Sequence, residues 1–168
     1  MSLYKRNRKS IRLKEYDYTQ PGWYFITICT QKREVLFGEI VNGQMKLNDT
    51  GRMIYVAWEW LAKQYHYVEL DAWTVMPNHL HGIIIIRDRR GGSRTAPTMK
   101  RKPIGRLIGA FKTVSTKHLN QLHNTPGAKL WQRNYHEHII RNEHELNRIR
   151  KYIRDNPLKW QDDRHYSN

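Results

Sequence analysis

Two histidines separated by one residue, His79 and His81, are the side chains of this sequence best suited to bind a metal ion. They open an apolar, β-branched run that is typical of a strand, in which successive side chains point to opposite faces. Both imidazoles therefore project to one side, with Cα atoms roughly 6.6 Å apart at ~3.3 Å per residue. Such a pair can share one metal ion, although the spacing alone also fits two polar strand residues. Leu80 and Gly82 face the other way, where Leu80 enters the core and Gly82 leaves room for a close neighbour.

A tyrosine and an asparagine near the end of the chain, Tyr152 and Asn156, have side chains suited to the same chemistry. In a helix their i, i+4 spacing places them on one face, about 6 Å apart along the axis, so that a phenol and an amide oxygen could approach one ion. Ile149 and Ile153 flank Tyr152 on the stripe that we expect to pack on a sheet. Because Asn156 precedes Pro157, we expect it at the helix cap. Taken alone, a helical tyrosine is more often a packed aromatic than a nucleophile.

The strands that must position these groups follow from apolar and alternating runs. We predict four strands in one sheet, at residues 23–30, 68–76, 79–86 and 135–140. Pro77-Asn78 joins the second to the third so tightly that the pair is expected to be an antiparallel hairpin. Residues 83–86 are apolar on both faces, which predicts a central position in the sheet. A weaker hairpin is predicted over 35–47, because Asn42-Gly43 separates two short apolar stretches.

Three amphipathic helices complete the predicted elements. Asn48, Asp49 and Thr50 offer caps for the first helix. Pro103 opens the second. Asn142 caps the third, with Glu145 at the capping-box position, and Pro157 stops it. The predicted apolar stripes are Met53, Val56, Ala57, Trp60 and Leu61 in the first helix, Ile104, Leu107, Ile108, Phe111, Leu119 and Leu122 in the second, and Leu146, Ile149 and Ile153 in the third.

The order strand, helix, strand, strand, helix, strand, helix predicts an α+β fold of the ferredoxin-like type. Its sheet would be mostly antiparallel and packed with helices, and its C-terminal helix would carry Tyr152. We expect one domain over residues 1–168, since a chain of 168 residues is short for two. Residues 1–20 form a basic N-terminal extension in this interpretation. Residues 87–102, with seven basic residues, one acidic residue, Gly-Gly and Pro, are predicted to be a mobile basic loop.

Composition indicates the class of partner. Thirty Lys and Arg against fifteen Asp and Glu leave a formal net charge of +15, more than solubility requires, so a polyanion is expected. No run approaches the ~18 apolar residues of a membrane span, and no apolar stretch follows the charges of residues 1–6, so we expect neither secretion nor membrane binding. The single cysteine, Cys29, allows no intramolecular disulfide and fits a reducing cytosol.

Several of these segments together carry a resemblance to a known family. They are Trp73-Thr74-Val75-Met76-Pro77 followed by Asn78-His79-Leu80-His81-Gly82, then Trp131-Gln132-Arg133, Glu137-His138 and Tyr152-Ile153-Arg154-Asp155-Asn156-Pro157. In this order they resemble the single-tyrosine HUH transposases (IS200-like), and among them the REP-associated tyrosine transposases. The resemblance runs from about residue 20 to 160. Its specificity comes from the ordered combination, because no single segment would suffice.

The resemblance implies a metal-dependent transposase that cleaves and rejoins single-stranded DNA, with hairpin structure expected in that DNA. It implies Mg²⁺ or Mn²⁺ held by His79, His81 and Asn156, and attack by Tyr152 on the scissile phosphate. The enzyme would become linked to the 5′ phosphate and release a 3′ hydroxyl, which keeps bond energy for rejoining. Such an enzyme would be cytoplasmic and associated with the nucleoid. Relatives act as monomers or as homodimers that exchange tyrosine helices, and the sequence does not choose between them.

Further residues are candidates for contact with DNA. Lys112 matches a lysine of the family, and Arg106 and Arg133 could follow a DNA backbone. Glu137 and His138 match the family pattern and could line the site, although both could be ordinary strand residues. Five other histidines show no metal spacing and are expected to be structural or solvent-facing: His66, His118, His123, His144 and His165.

Physical chemistry agrees with these roles. A phenol with a pKa near 10 is a poor nucleophile at neutral pH, and a metal ion that polarises the phosphoryl oxygen would help it. Imidazole ligands favour zinc or manganese over magnesium, so the sequence does not choose the ion. The alternative function is a non-catalytic ferredoxin-like module that binds nucleic acid. A zinc hydrolase is disfavoured, because the sequence has no His-Glu-x-x-His segment and only one cysteine.

Overall fold

The computed structural model describes residues 16–88 and 100–165. Its elements in chain order are β1 (Gly22–Cys29), β2 (Gly38–Val41), β3 (Gln44–Leu47), α1 (Asp49–Gln64), β4 (Val68–Met76), β5 (His79–Ile86), α2 (Ile104–His123), β6 (His136–Ile140) and α3 (Glu143–Asp155), with short 3₁₀ segments at Gln31–Arg33 and Pro157–Asp162. The predicted basic extension and basic loop lie largely outside the described residues, at 1–15 and 89–99. No helix in the described ranges is both long enough and apolar enough to cross a membrane.

Four strands form the main sheet in the order β4-β5-β1-β6, and each neighbouring pair is antiparallel. This arrangement confirms the predicted α+β fold with an antiparallel sheet packed against helices. The hairpin across Pro77-Asn78 is confirmed, as is the central position of residues 83–86, since β5 lies between β4 and β1. The smaller predicted hairpin is also present, as a separate two-stranded sheet of β2 and β3. Its turn residues, Asn42 and Gly43, have φ values of 51° and 72°, which suits an Asn-Gly turn.

The sheet has helices on both faces. Side chains of β1 and β5 that face one way, such as Ile26 and Leu80, join a core cluster with α1 and α2. Those that face the other way, such as Phe25 and Ile83, join a smaller cluster with the predicted stripe of α3. Because the strand period is two, His79 and His81 lie on the α3 face while Leu80 and Gly82 face α1 and α2. The predicted division of these four side chains is therefore confirmed.

The α1 stripe was predicted only in part. Ala57 and Leu61 are buried, but Val56 is 60% exposed, and the remaining buried apolar positions are Ile54 and Trp58. Two overlapping apolar stripes run along this helix, and the one that carries Trp58 faces the sheet. Met53 and Trp60 pack only partly against the core.

The predicted stripe of α2 extends too far along the helix. Leu122 is 56% exposed, and the fully buried residues of α2 end at Ser115, about two turns before the helix ends at His123. Leu119 is partly buried against the core, and the earlier apolar positions of the stripe are buried as predicted.

Candidate metal and nucleophile site

His79 and His81 are both fully buried on the α3 face of the sheet. Their Nε2 atoms are 3.0 Å apart, and their ring centroids are 4.5 Å apart. Burial, more than the neighbouring His165, lowers the pKa of His79 to about 3. Burial and the adjacent His79 also hold the pKa of His81 well below its usual range. Both rings are therefore neutral at physiological pH, which is the form that binds a metal.

Asn78 sets the orientation of the His79 ring. Its Nδ2 donates to the backbone carbonyls of Arg33 (3.1 Å) and His165 (2.7 Å), so the amide nitrogen must point at these two acceptors. Its Oδ1 is then left for His79 Nδ1 at 2.8 Å. An amide oxygen can only accept, so His79 carries its proton on Nδ1 and presents the Nε2 lone pair to His81. Partners of this kind fix the tautomer of metal-binding histidines.

Thr27 is the corresponding partner of His81. It lies directly opposite His81 in the pairing of β1 with β5, and its Oγ1 is 2.8 Å from His81 Nδ1. A hydroxyl can donate or accept, so Thr27 permits either tautomer of His81 without movement. When the hydroxyl accepts from Nδ1–H, both Nε2 lone pairs face the space between the rings.

Tyr152 reaches this pair from α3. Its hydroxyl oxygen is 3.4 Å from His81 Nε2, and the residue is 41% exposed. Burial and the Asp163 carboxylate raise the pKa of Tyr152, while Arg164 and Asn156 act in the opposite direction. The phenol is therefore protonated at neutral pH and needs assistance to act as a nucleophile.

An ion pair fixes α3 against the sheet. Arg150 donates from Nε to Asp71 Oδ1 (2.8 Å) and from Nη2 to Asp71 Oδ2 (2.6 Å). Asp71 lies at the register shift of β4 between Leu70 and Trp73. Two parallel donors on one carboxylate define an orientation as well as a distance. Together with the buried Ile149 and Ile153, this contact sets how Tyr152 faces the histidines.

A third candidate metal ligand is Asp163, which follows the 3₁₀ segment after α3. One ligand atom from each of His79, His81 and Asp163 lies within 4.8 Å of the other two. Asn156 lies beside them, and its Nδ2 donates to Asp163 Oδ2 at 3.0 Å. Its Oδ1 is buried and has no hydrogen-bond partner within residues 16–88 and 100–165. Two imidazoles, a carboxylate and an unsatisfied amide oxygen form a donor set that fits a divalent cation.

Sequence reasoning missed two contributors from the end of the described chain. Asp163 was not among the predicted ligands, and His165 was expected to be structural or solvent-facing. His165 is 8% exposed, and its ring centroid is 4.7 Å from that of His79. Its carbonyl accepts from Asn78 as described above, and Arg33 donates to the carbonyl of Arg164 at 3.0 Å. The only hint in the sequence is the acidic pair Asp162-Asp163 that follows the turn at Pro157.

Gly82 provides close packing directly behind the histidines. A Cβ at this position would lie 2.5 Å from Cζ2 of Trp58, which is fully buried. The indole of Trp58 therefore presses on the backbone of β5 one residue after His81. This is the close neighbour that the glycine was predicted to admit, and it supports the histidine strand from the opposite face of the sheet.

A cavity of about 590 Å³ opens beside Tyr152 and Asn156. Phe25 forms part of its wall, with its ring 6.0 Å from that of Tyr152. Its charged lining residues are Arg148, Lys151, Asp155, Lys159, Asp162, Asp163 and Arg164. The four basic side chains are exposed, and one of the acidic ones, Asp163, is itself a candidate metal ligand. The cavity can therefore receive an anionic group next to the phenol.

The predicted DNA-contacting residues are dispersed over the molecule. His138 is exposed on the α3 face and lies 2.7 Å from Glu145. Glu137 points to the opposite face and accepts a hydrogen bond from Tyr135 at 2.5 Å, so it does not line the metal-ligand cluster. Arg106 is exposed in the first turn of α2, and Lys112 and Arg133 lie together on the α2 side. The structure brings Tyr152, His79, His81 and Asn156 together and leaves these five residues outside that group.

Comparison with known proteins agrees with this geometry. Residues 23–156 match the protein family described as "Transposase IS200 like". A protein of Haemophilus influenzae (strain ATCC 51907 / DSM 11121 / KW20 / Rd), described as uncharacterized, is 41% identical over 170 residues, which cover 95% of this chain and 93% of the relative. A solved "Structure of the REP associates tyrosine transposase bound to a REP hairpin" is similar in fold, with a TM-score of 0.60 and 21% sequence identity. That match covers 88% of this chain and 73% of the other.

Proposed function

The chain belongs to the IS200-like transposase family, and we propose that it cleaves and rejoins single-stranded DNA through a covalent bond between Tyr152 and a 5′ phosphate. One observation carries this proposal. The Tyr152 hydroxyl lies 3.4 Å from His81 Nε2, so a nucleophile and a pair of metal-binding imidazoles meet within one chain. A non-catalytic nucleic-acid-binding module would have no need for this convergence of two distant segments.

The proposed reaction is an in-line exchange of phosphodiester bonds. The Tyr152 oxygen attacks the phosphorus, the bond from phosphorus to the 3′ oxygen breaks, and the phenolic proton is transferred overall to the departing 3′ hydroxyl. The number of phosphoester bonds is unchanged, so the reverse attack by a 3′ hydroxyl can rejoin DNA without another energy source. His79, His81, Asp163 and Asn156 would hold the metal ion, Mg²⁺ or Mn²⁺. When bound, that ion supplies positive charge that polarises the phosphoryl oxygen and stabilises the transition state.

The exposed cations around the cavity are suited to bind the strand. Arg148 and Lys151 lie on α3 within one turn of Tyr152, and Lys159 and Arg164 lie on the segment that carries Asp163. Contacts from such residues to phosphate oxygens would fix where the strand lies without reading its sequence. Because the similar solved transposase is described with a hairpin, we propose that the DNA of this chain also carries hairpin structure.

The remaining parts of the proposal concern organisation and location. One sheet with helices on both faces supports a single domain, and a site built within one chain supports action by the tyrosine of the same subunit. A monomer would then be sufficient for cleavage. A protein that acts on chromosomal DNA would work in the cytoplasm, at the nucleoid.

Replacement of the tyrosine tests the chemistry. Tyr152→Phe keeps the ring and removes the attacking oxygen, so the covalent adduct with DNA should disappear while binding of the strand remains within about threefold. Tyr55→Phe is a matched control, since Tyr55 is exposed to a similar extent, 39% against 41%. The assay incubates protein, Mn²⁺ and single strands from the flanks of its own gene, followed by a denaturing gel. An adduct that persists in Tyr152→Phe would show that the nucleophile is misassigned.

A further inference from the structure

A second cavity, of about 540 Å³, lies between α2 and the chain segment 127–133, on the other side of the sheet from α3. We refer to it as the α2 groove. Among the residues that the structure describes, it shares no lining residue with the cavity beside Tyr152. Its charged lining residues are Lys112, Lys117, Lys129 and Arg133, with no acidic residue among the described ones that line it. The Tyr152 cavity, in contrast, mixes acidic and basic groups. The α2 groove therefore presents charge of one sign only.

Lys112 holds the outer wall of this groove in place. Its Nζ donates to three successive backbone carbonyls, those of Gln132 (2.9 Å), Arg133 (3.3 Å) and Asn134 (3.3 Å). Burial lowers the pKa of Lys112 to about 8, so the ammonium occupies a place that disfavours its charge. All three of its donors are committed to the loop. Lys112 thus orders the irregular backbone at residues 132–134, next to the bridge between Thr30 and Trp131.

Two further contacts fix the same wall along its length. Trp131 donates from Nε1 to Ser115 Oγ at 2.9 Å, and both side chains are buried. Asn120 Nδ2 donates to the carbonyl of Ala128 at 3.1 Å. The wall is therefore attached to α2 at three successive levels. A groove with this support keeps its shape before a ligand arrives, which lowers the entropy lost on binding.

Three cationic side chains that line the α2 groove are exposed to solvent. Lys117 is exposed on α2, and Lys129 and Arg133 are exposed on the opposite wall, on either side of the buried Leu130-Trp131. Cations on both walls of a groove can contact successive anionic groups of an extended polyanion. The protein carries a net charge of +15, and this arrangement places part of that charge along a groove that a polyanion could follow.

The groove wall continues from the strand that supports the histidines. Cys29 pairs with His79 across β1 and β5, and the next residue, Thr30, forms a bridge with Trp131. Two strand spacings separate His79 from Trp131, or roughly 10 Å at ~4.8 Å each. The groove and the histidine site therefore share one supporting strand, on opposite faces of the sheet.

We propose that the α2 groove binds the phosphodiester backbone of the same DNA molecule that presents its scissile phosphate to Tyr152. Lys117, Lys129 and Arg133 contact phosphates, and Lys112 maintains the wall. The inference rests on the proposed function for the identity of the polyanion. It adds a second contact region, on the α2 face of the sheet, to the cavity beside the tyrosine.

The test measures the salt dependence of binding in the full-length chain. The probe is a fluorescent 20-nucleotide single strand of mixed sequence, and affinity is measured by anisotropy between 50 and 300 mM KCl. Each lost phosphate contact should lower the slope of log affinity against log salt by about 0.7, so Lys117→Gln with Lys129→Gln should lower it by about 1.4. The control joins Lys46→Gln and Lys63→Gln, which remove the same charge from exposed positions outside the groove. The slope for this control variant should change by less than half as much as the slope for the groove variant.

Equal loss of slope in the groove and control variants would overturn the proposal, because net charge alone would then explain it. Thermal melting of both variants checks that they are folded. The Tyr152 adduct is measured separately, so the two proposals can fail independently. An adduct combined with equal slopes refutes the groove and retains the nuclease. A selective loss of slope with no adduct under any condition supports the groove and refutes the phosphotyrosine chemistry.

Discussion

Replacement of Gly82 by alanine should destabilise the protein and also weaken the binding of metal at the candidate site. A Cβ at position 82 would meet Trp58 at 2.5 Å (Cζ2), 3.0 Å (Cε2) and 3.3 Å (Nε1). Ordinary carbon contacts are about 3.5 to 4.0 Å, so the strand and the indole must separate by roughly 1 Å. Trp58 has little freedom to yield, because it is fully buried with its ring 5.1 Å from that of Phe111.

The size of the effect follows from known costs of overpacking. Inserting a methyl group into a filled core costs about 1 to 3 kcal/mol, and the reduced backbone freedom of alanine returns about 0.4 to 1 kcal/mol. We therefore expect the free energy of unfolding to fall by roughly 1 to 2 kcal/mol. Part of the displacement reaches His81, the preceding residue. Metal ligands tolerate shifts of only about 0.2 Å, so Mn²⁺ affinity should fall by roughly tenfold or more.

Urea denaturation and calorimetric titration with Mn²⁺ measure the two effects. Gly109→Ala is the matched control, since nothing lies within 4 Å of a Cβ at that exposed position in α2. That change should stabilise the protein by about 0.5 to 1 kcal/mol, through helix propensity alone. A Gly82→Ala variant as stable as the original protein would refute the reasoning.

A double variant identifies Trp58 as the source of the strain. Trp58→Phe removes Cζ2 and also removes Nε1, which is buried without a hydrogen-bond partner in the described part of the chain. Gly82→Ala combined with Trp58→Phe should therefore lose less stability than the sum of the two single losses, by about 0.5 kcal/mol or more. Strict additivity would place the strain elsewhere.

Two further predictions concern the groups that orient the site. Asn78→Ala removes the acceptor of His79 Nδ1–H and the donor to the carbonyls of Arg33 and His165. The affinity for Mn²⁺ should therefore fall by about 10- to 100-fold in calorimetric titration. Unchanged affinity would show that another group sets the tautomer of His79. Arg150→Met should cost about 1 kcal/mol at pH 7, a modest value because the Arg150 side chain is 42% exposed. The hydrogen bonds from Arg150 lower the pKa of Asp71, so the stability they contribute is present above about pH 4 and is lost as the pH falls through that lowered value. Urea denaturation should therefore distinguish Arg150→Met from the original protein at pH 7 and much less at pH 2.5, and an equal difference at both would refute the assignment.

The strands could be predicted from the sequence where its pattern of apolar residues fits a strand and does not fit a helix. Residues 68–76 and 79–86 have the bounds expected from sequence, because two β-branched runs meet at Pro77-Asn78 and no helical spacing competes with them. The buried face of α1 was not predictable in the same way. Ile54, Trp58 and Leu61 compete with Met53, Val56 and Trp60 at equivalent helical spacing, and only the position of the sheet decides between them.

The residues of the candidate site also fall into two groups, those placed by local structure and those placed by long-range contacts. Strand alternation alone places His79 and His81 on one face, and helix periodicity alone places Tyr152 above Asn156. Both are local rules, and both hold in the structure. Asp163 and His165 depend instead on how the chain returns after Pro157. The hydrogen bond from Asn78 to His165 spans 87 residues, and no local pattern encodes such a contact.

The long-range contacts also explain why Asn156 can belong to the site although it precedes a proline. Its φ and ψ of −59° and −42° are helical, so α3 continues without a break to the residue that adjoins Asp163. The 3₁₀ segment at Pro157–Asp162 then reverses the chain toward His79. A proline that ended the helix one residue earlier would turn the Asn156 side chain away from the histidines. The donor set therefore depends on helical geometry that the sequence disfavours locally and that the packing of the segment after Pro157 stabilises.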